Sequence, residues 1–341
     1  MYPLSKGKKA MWDIGKMYKA CIPSLIIGEM IFKDNNISID KLDRAINKLI
    51  ESDDIIRTSI IDDDKETIEP FYYHKVNIID LVGKTNEESD KIIQNYTQEK
   101  IENNKLYSFR IVLYNNGRTG IIIKLHHIIS DAWTMVLIGS RINYYYRNDK
   151  TTTLDKGISY TEYLTRDNRY LISNRYLQDE NYWKDKINDF DDSAIKLNNN
   201  CIGTVEDIKA RRKSIKVNEE HIKQYCKNNS ISLFAFHVAV LAIYMARTNH
   251  KDKVIIGTPV LGREGREKFS LGYYVNMVPL KININMEWTF YELLNEVKKE
   301  IFNTFKHSKY PYIKIREAFT AEFGTNKKIF DTVLSYKNSK N

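Results

Sequence analysis

The strongest constraint on the fold lies in residues 106–127, LYSFRIVLYNNGRTGIIIKLHH, which read as two strands joined by a short turn. The Asn-Gly pair at the centre favours a tight hairpin, because these residues adopt the backbone angles that such turns need. The second strand contains three consecutive isoleucines, at residues 121–123. That strand runs directly into His126 and His127, and a helix is predicted over residues 133–146. The two histidines should therefore lie on a loop that a rigid sheet supports, where functional groups are often found.

The remainder of the chain repeats this mixture of strands and helices in two comparable halves. At 341 residues, of which 42% are hydrophobic, the chain is long enough for two domains with separate cores. We therefore expect an α/β (α+β) protein with a first lobe over residues 1–172 and a second over 173–341. The predicted elements are an amphipathic helix over 37–54 capped by Ser38, a strand over 55–60, a polar helical connector over 160–188, a buried helix over 231–248, strands over 253–260 and 273–282, and a helix over 289–308.

Composition limits the class of protein. No apolar run reaches the roughly 20 residues that a membrane helix needs, and no apolar segment with a small-residue cleavage site follows the basic start MYPLSKGKKAMW. The three cysteines, Cys21, Cys201 and Cys226, are too few and too scattered for a disulfide framework or a zinc cage. We therefore expect a reduced, cytoplasmic protein that does not enter the membrane.

The chain carries 53 Lys and Arg against 44 Asp and Glu, a formal net charge of +9. Such a surplus is typical of proteins that bind nucleic acids or acidic proteins. The basic residues are interspersed with acidic ones, the densest basic patch being residues 209–213 (KARRK), and no nucleic-acid-binding motif accompanies them. The sequence therefore favours an acidic protein partner over nucleic acid.

His126 and His127 admit three interpretations. Adjacent histidines in an extended segment point to opposite faces, so they do not form a metal-binding pair by themselves. His127 and Asp131 have a spacing that metal-binding pairs on helices use, but no third ligand is evident. Two core histidines bonded to the backbone are the plainest interpretation of an arbitrary pair. The acid at Asp131, the neighbouring Ser130 and the place at a strand end favour a proton-accepting histidine, since the pKa of free histidine lies near neutrality.

Several segments share their order with the motifs of one protein family. HHIISDAW at 126–133 resembles the HHxxxDG motif of condensation domains of nonribosomal peptide synthetases, which belong to the superfamily of chloramphenicol acetyltransferase. Further segments resemble other motifs of that family and follow its order across the chain. They are YPLSKGKKAMW at 2–12, DDIIRTSI at 53–60, SYTEYL at 159–164, GTPVLGRE at 257–264, LGYYVNMVPL at 271–280, HSKYPYIKI at 307–315 and IFDTVLSYKN at 329–338.

The resemblance implies a fold of two chloramphenicol acetyltransferase-like lobes in a V shape, each a mixed sheet flanked by helices. The second lobe is expected to be incomplete, because the chain ends at Asn341, soon after the last motif. The implied enzyme forms an amide bond between a donor acyl or peptidyl thioester and the amine of an acceptor aminoacyl thioester. Both substrates would be presented on the phosphopantetheine arms of acidic carrier proteins, with an adenylation domain as a further partner. Neither a permanently bound cofactor nor a metal is expected.

The resemblance and the chemistry of the residues together assign the site. His127 is the expected catalytic residue, which accepts the proton of the acceptor amine or positions that amine, and His126 is expected to be structural. Asp131 is expected to brace the loop through a buried ion pair, with Arg263 as the first choice of partner and Arg57 as the second. The candidates for lining a tunnel between the lobes are Ser130, Ala132, Trp133, Tyr273, Asn276 and Ser335.

One residue of the motif departs from the family pattern. The glycine after the motif aspartate is Ala132 here, and its methyl group would strain the loop if that position required a positive φ. Two alternatives stay open, the first because acyltransferases of the same fold share the histidine motif, and the second because of Ala132 and the early end of the chain. One is an acyltransferase that uses a coenzyme A or carrier thioester with a hydroxyl or amine acceptor. The other is an inactive module that binds a carrier protein.

Overall fold

A computed structural model describes residues 1–17, 25–101, 105–148, 154–190, 212–324 and 327–337. The chain divides into two compact units, Met1–Arg169 with Arg263–Tyr274, and Tyr170–Gly262 with Val275–Asn341. The sequence predicted a boundary between the lobes at residue 172. It did not predict that Arg263–Tyr274 packs with the first unit. Cys21, Cys201 and most of the basic patch at 209–213 lie outside the described residues.

The first unit mixes strands and helices, as the sequence pattern predicted. In chain order they are β1 (Tyr2–Pro3), α1 (Lys6–Met17), β2 (Leu25–Ile31), α2 (Ile39–Ser52), β3 (Thr58–Ile60), β4 (Lys65–Ile68), β5 (Ile78–Asp80), α3 (Asn86–Gln98), β6 (Tyr107–Leu113), β7 (Thr119–His126), α4 (Ala132–Arg147) and α5 (Tyr160–Leu171). The predicted amphipathic helix is α2, which Ser38 caps by accepting a hydrogen bond from the Lys41 N–H.

A mixed four-stranded sheet with the order β2-β7-β6-β5 forms the centre of the first unit, beside a smaller sheet with the order β1-β4-β3. The predicted hairpin is confirmed, because β6 and β7 are antiparallel with Leu113 opposite Thr119. Gly117 adopts a φ of 73° in the connecting turn, a conformation that glycine reaches without strain. Helices α2 and α4 pack against each other and, with the large sheet, bury the main core of this unit. The end of β7 is thus held on a rigid support.

The strand predicted over residues 55–60 is only half right. Asp54–Arg57 form a short 3-10 helix, and the strand is confined to β3. The Arg57 guanidinium donates to the backbone carbonyls of Ile50 and Glu51 at the end of α2. These bonds draw the chain back over the helix end before it can extend.

In its described residues, the second unit contains a two-stranded antiparallel sheet flanked by helices, where the sequence had predicted a mixed sheet. Strands β8 and β9 are antiparallel, with Lys253 opposite Asn283, and Val333 adds a parallel bridge to Gly257. A side chain at Gly257 would meet the Phe330 ring at 2.4 Å, so the close approach of that ring requires glycine. The elements of this unit are α6 (Asn174–Asn188), α7 (Glu220–Asn228), α8 (Leu233–Asn249), β8 (Lys253–Val260), β9 (Asn276–Asn283), α9 (Phe290–Lys306) and α10 (Tyr312–Phe323).

Helix α8 is the predicted buried helix, and its alanines and Val238 lie in the core of the second unit. Among the described residues no single helix is both long and apolar enough to cross a membrane; α7 and α8, bent by 106°, meet that test only as a pair. Strand β8 has the predicted bounds, whereas the strand predicted over 273–282 begins only at Asn276. The Tyr274 N–H donates to the carboxylate of Asp131, 143 positions away, instead of to a neighbouring strand.

A buried ion pair anchors the start of the first unit. Lys8 Nζ lies 2.7 Å from Glu66 Oε2, with both side chains almost wholly inaccessible to solvent. The Tyr160 hydroxyl donates to the other Glu66 oxygen, and the Lys8 ammonium lies 4.0 Å from the centre of the Tyr160 ring. Burial lowers the pKa of Lys8 to about 8, while the charge of Glu66 opposes that shift. Each buried charge therefore offsets the desolvation cost of the other, and removing one leaves the other uncompensated.

We predict that Lys8→Met lowers the free energy of unfolding by about 3–5 kcal/mol, because the Glu66 carboxylate then lies buried without its counter-ion. The double variant Lys8→Met/Glu66→Gln should recover much of that loss, since neither charge remains. Urea unfolding of wild type and both variants measures the difference. Lys48→Met is the matched control, because its pair with Glu51 is exposed and should be worth less than about 1 kcal/mol. Equal losses in the single and double variants would contradict the coupling.

Candidate active site

The two histidines lie where β7 gives way to α4. His126 is the last residue of β7, and a 3-10 turn over His127–Ile129 follows it directly. Asp131 then caps α4, its Oδ1 accepting a hydrogen bond of 2.8 Å from the Thr134 N–H. A strand end and a helix cap thus fix this short loop from both sides.

His126 holds the turn together. Its Nδ1 accepts a hydrogen bond of 3.2 Å from the Ile128 N–H, and its ring lies 6.0 Å from the ring of Trp12. Burial, with a smaller contribution from the neighbouring His127, lowers the pKa of His126 to about 4. The ring is therefore neutral at physiological pH, and its lone pair on Nδ1 is engaged by the backbone.

His127 presents a different environment. Its Nδ1 is buried and has no hydrogen-bond partner among the described residues. The ring packs edge-on against Tyr273, with 5.4 Å between ring centres. Burial, with a smaller contribution from Asp131, raises the pKa of Tyr273 to about 12, so its phenol stays neutral. A side chain at Gly7 would approach the Tyr273 ring to 3.2 Å, so glycine at that position leaves space for this ring.

Asp131 is saturated with hydrogen bonds. Its Oδ1 accepts from the Thr134 N–H and from Arg263 Nη2 at 3.0 Å. Its Oδ2 accepts from Arg263 Nη1 at 2.5 Å and from the Tyr274 N–H at 3.1 Å. Asp131 as a whole residue is 2% exposed, and the two-pronged contact with Arg263 is the pairing that the sequence predicted. A carboxylate with two donors on each oxygen has no lone pair left to accept a proton from a substrate.

The arginine connects the loop to a distant segment of the same unit. Arg263 Nη2 also donates to Thr134 Oγ1 at 3.0 Å and to the Gly272 carbonyl at 3.2 Å. Its guanidinium lies 4.4 Å from the centre of the Tyr274 ring. Gly272 has a φ of 149°, and a side chain there would meet that ring at 2.7 Å, so this position requires glycine.

Thr134, Gly272 and Tyr274 were missed by the sequence reasoning. The spacing of Thr134, three residues after a helix-capping aspartate, is a signal that could have found it. Gly272 and Tyr274 join the site through contacts with residues about 140 positions away. No local pattern announces those contacts.

Two of the predicted assignments need correction. Arg57 does not approach Asp131; it pairs with Asp54 at 2.8 Å and donates to backbone carbonyls, because it closes the end of α2. Ser130 is fully buried rather than open to a tunnel, and its hydroxyl donates to the His126 carbonyl at 3.1 Å. The Ser130 side chain thus joins the two ends of the loop instead of facing a substrate.

Of the remaining candidates, Ala132 and Trp133 lie in the first unit, and Asn276 and Ser335 lie in the second. Ala132 begins α4, is exposed, and is not among the described residues with a positive φ, so its methyl group causes no backbone strain. Trp133 is 37% exposed, and its indole N–H donates to the Lys268 carbonyl at 2.8 Å. In the second unit, the Asn276 amide donates to the carbonyls of Ser308 and Tyr310, and Ser335 is exposed. The Asn276 side chain is thus committed to the backbone around the HSKYP segment.

Metal ligation finds no support in the described part of the chain. No group of three or more His, Cys, Asp or Glu side chains there is placed to hold a metal ion. The spacing of His127 and Asp131, which could have indicated a metal pair, instead serves a helix cap and an ion pair.

We predict that Asp131→Ala lowers the free energy of unfolding by about 3–5 kcal/mol, because Arg263 is then buried without its counter-ion. Arg263→Leu in the same chain should restore part of that loss. Asp155→Ala is the matched control, since its pair with Arg266 is exposed and contributes little. Thermal or urea unfolding gives the comparison. An Asp131→Ala protein that is fully stable yet inactive would indicate a direct catalytic role instead.

A second prediction concerns His126 and acid. Its pKa is about 4 in the folded chain against an ordinary value of 6.5, so the unfolded state binds more protons between these pH values. Wild type should therefore lose about 2–3 kcal/mol of stability through this group as the pH falls from 6.5 to 4. His126→Asn, which keeps an acceptor near the Nδ1 position, should lose correspondingly less. Urea unfolding across this pH range, with the exposed His221→Asn as control, measures the effect; parallel profiles for wild type and His126→Asn would refute it.

The chain is similar to long peptide synthetases. It is 24% identical over 353 residues to surfactin synthase subunit 1 of Bacillus subtilis (strain 168), a match that covers 98% of this chain and 10% of the relative. It is also 24% identical over 347 residues to gramicidin S synthase 2 of Aneurinibacillus migulanus, with 99% of this chain and 8% of the relative covered. The chain thus spans about a tenth of the length of these curated relatives.

Solved structures share its fold. The starter condensation domain of rhizomide synthetase, solved with C8-CoA, superposes with a TM-score of 0.84 at 20% identity, covering 98% of this chain and 77% of that one. The first condensation domain of the calcium-dependent antibiotic synthetase gives a TM-score of 0.76 at 16% identity, covering 98% and 79%. The family model of the condensation domain matches residues 1–341. The chain therefore belongs to the condensation-domain family.

Proposed function

We propose that this chain forms an amide bond between a donor acyl or peptidyl thioester and the amine of an acceptor aminoacyl thioester. The observation that carries the proposal is the division of labour between His127 and Asp131. The carboxylate is consumed by four hydrogen bonds, whereas the histidine keeps a nitrogen for a substrate. The site therefore offers one proton acceptor on a rigid loop.

His127 Nε2 takes the proton that the acceptor amine loses as it attacks the thioester carbon. A lone pair on Nε2 requires the ring proton on Nδ1, the buried nitrogen. The new C–N bond forms as the C–S bond breaks, and the donor sulfur takes up the proton that His127 accepted and leaves as a thiol. Because a thioester is already activated, holding the amine close to the carbonyl carbon supplies much of the rate.

Asp131, Arg263 and Tyr273 support this histidine. The ion pair fixes the cap of α4 and the backbone of Tyr274. Tyr273 precedes Tyr274 in the chain and packs edge-on against the His127 ring. The arrangement restricts the ring without using a carboxylate as a relay, so Asp131 acts on structure and His127 on substrate.

The substrates fit a protein that works with carriers. We propose that donor and acceptor arrive on phosphopantetheine arms of acidic carrier proteins and that an adenylation domain loads the acceptor, in the cytoplasm. Similarity to the surfactin and gramicidin S synthases supports this setting. The net charge of +9 favours association with acidic partners through long-range attraction, which salt weakens.

We predict that His127→Ala reduces amide formation by about two to four powers of ten while leaving the unfolding curve unchanged. The measurement is single-turnover product formation with thioester-loaded donor and acceptor carriers. His221→Ala, an exposed histidine on α7, is the control and should keep wild-type activity.

Wild-type rates for His127→Ala would refute the catalytic assignment. The same assay separates the alternatives. Transfer to a simple hydroxyl in preference to the carrier-bound amine would favour an acyltransferase. Carrier binding without any product in wild type would favour a binding module.

A further inference from the structure

The first unit contains a cavity that is lined by none of the residues of the histidine site. Its volume is about 190 Å³, and it lies beside the open part of β6. Strand β5 pairs only with residues 111–113 of that strand. The edge at residues 107–110 is therefore left for the cavity, which α3 and residues 74–77 close from either side.

The lining of this cavity is strongly cationic. The only acid that lines it is Glu99, against several basic side chains. These are Lys75, Lys100, Lys105, Arg110 and Lys124. The first four make no salt bridge with any carboxylate in the part of the chain that the structure describes, whereas Lys124 donates to the carbonyls of Tyr96 and Glu99. Convergent cations in a concave site raise the local affinity for anions.

Arg110 is held in a defined orientation. Its Nη1 donates to Ser108 Oγ at 3.2 Å and to the Phe109 carbonyl at 3.1 Å, and its guanidinium lies 5.1 Å from the centre of the Tyr96 ring. The Nε and Nη2 groups donate to no described residue. This leaves the guanidinium edge that suits two-pronged contact with a phosphate or carboxylate.

A second cavity of about 560 Å³ adjoins the first and shares Ile50, His74, Lys105 and Tyr107 with it. Its other walls combine apolar side chains, Ile60, Phe71 and Tyr72 among them, with the charged side chains of Arg57 and Glu69. Tyr72 lines this second cavity and is 75% exposed, so its aromatic ring is accessible to solvent. A cationic cavity thus lies beside one that has apolar walls.

We propose that the two cavities bind a small phosphate monoester whose organic part is apolar. The phosphate lies against the free edge of Arg110 with Lys75 and Lys105 nearby, and the organic group lies along Tyr72 and Phe71. A dianion matches the surplus of unpaired cations better than a single carboxylate does. The site is independent of the proposed condensation activity.

Titration with phenyl phosphate and with inorganic phosphate, at constant ionic strength, tests the proposal by calorimetry on the whole chain. Phenyl phosphate should bind at one site and more tightly than inorganic phosphate or benzoate. Arg110→Gln should weaken both phosphates about tenfold or more, the scale of a charged hydrogen-bond pair. Tyr72→Ala should weaken phenyl phosphate only. Lys91→Gln is the matched control, because this exposed lysine of α3 does not line the cavity and should leave both affinities unchanged.

Lys75→Gln provides a second test that does not depend on the stability of the Arg110 variant, because Lys75 is exposed. It too should weaken both phosphates relative to Lys91→Gln. Three results would overturn the proposal. They are affinities that none of the cavity variants alters, benzoate binding as tight as that of phenyl phosphate, and phosphate effects that chloride reproduces at equal ionic strength.

Discussion

The buried ion pair between Asp131 and Arg263 is the interaction on which the first unit's site depends. Taking two charges out of water is costly, and only complete hydrogen bonding offsets that cost. Here each carboxylate oxygen has two donors, and the guanidinium also reaches Thr134 and Gly272. The pair closes a contact between residues 132 positions apart, so it ties the loop after β7 to the segment Arg263–Tyr274.

Other buried polar groups hold the same segment. Arg141 of α4 pairs with Asp53 and donates to the carbonyl of Phe269. Ser270 accepts a hydrogen bond from the Ile158 N–H and donates back to the Ile158 carbonyl. Beyond the 3-10 turn at Gly265–Phe269, the segment Arg263–Tyr274 has no regular secondary structure. Side chains, rather than a neighbouring strand, provide hydrogen bonds to its backbone groups. The segment is consequently rigid enough to position Tyr273 against His127.

Neighbouring polar residues of this loop differ in how far their side chains are hydrogen-bonded. His126, Ser130 and Asp131 spend their polar atoms on backbone groups and on Arg263. Of these four residues, only His127 has a side chain that makes no hydrogen bond to a described residue. In a buried loop these hydrogen bonds are needed, because each further polar group without a partner would add a desolvation cost to the free energy of folding.

The sequence by itself determined the hairpin of β6 and β7, the helices α2, α4, α8 and α9 and the bounds of β8, because turn residues and apolar periodicity act over a few neighbours. It also indicated Arg263 for Asp131, since a buried carboxylate needs a partner of that chemistry. Only the tertiary structure decided that Arg57 closes α2, that Ser130 is buried, that β9 begins at Asn276 and that Arg263–Tyr274 belongs with the first unit. Those outcomes rest on contacts between residues that are close in space yet often more than a hundred positions apart, which no local pattern encodes.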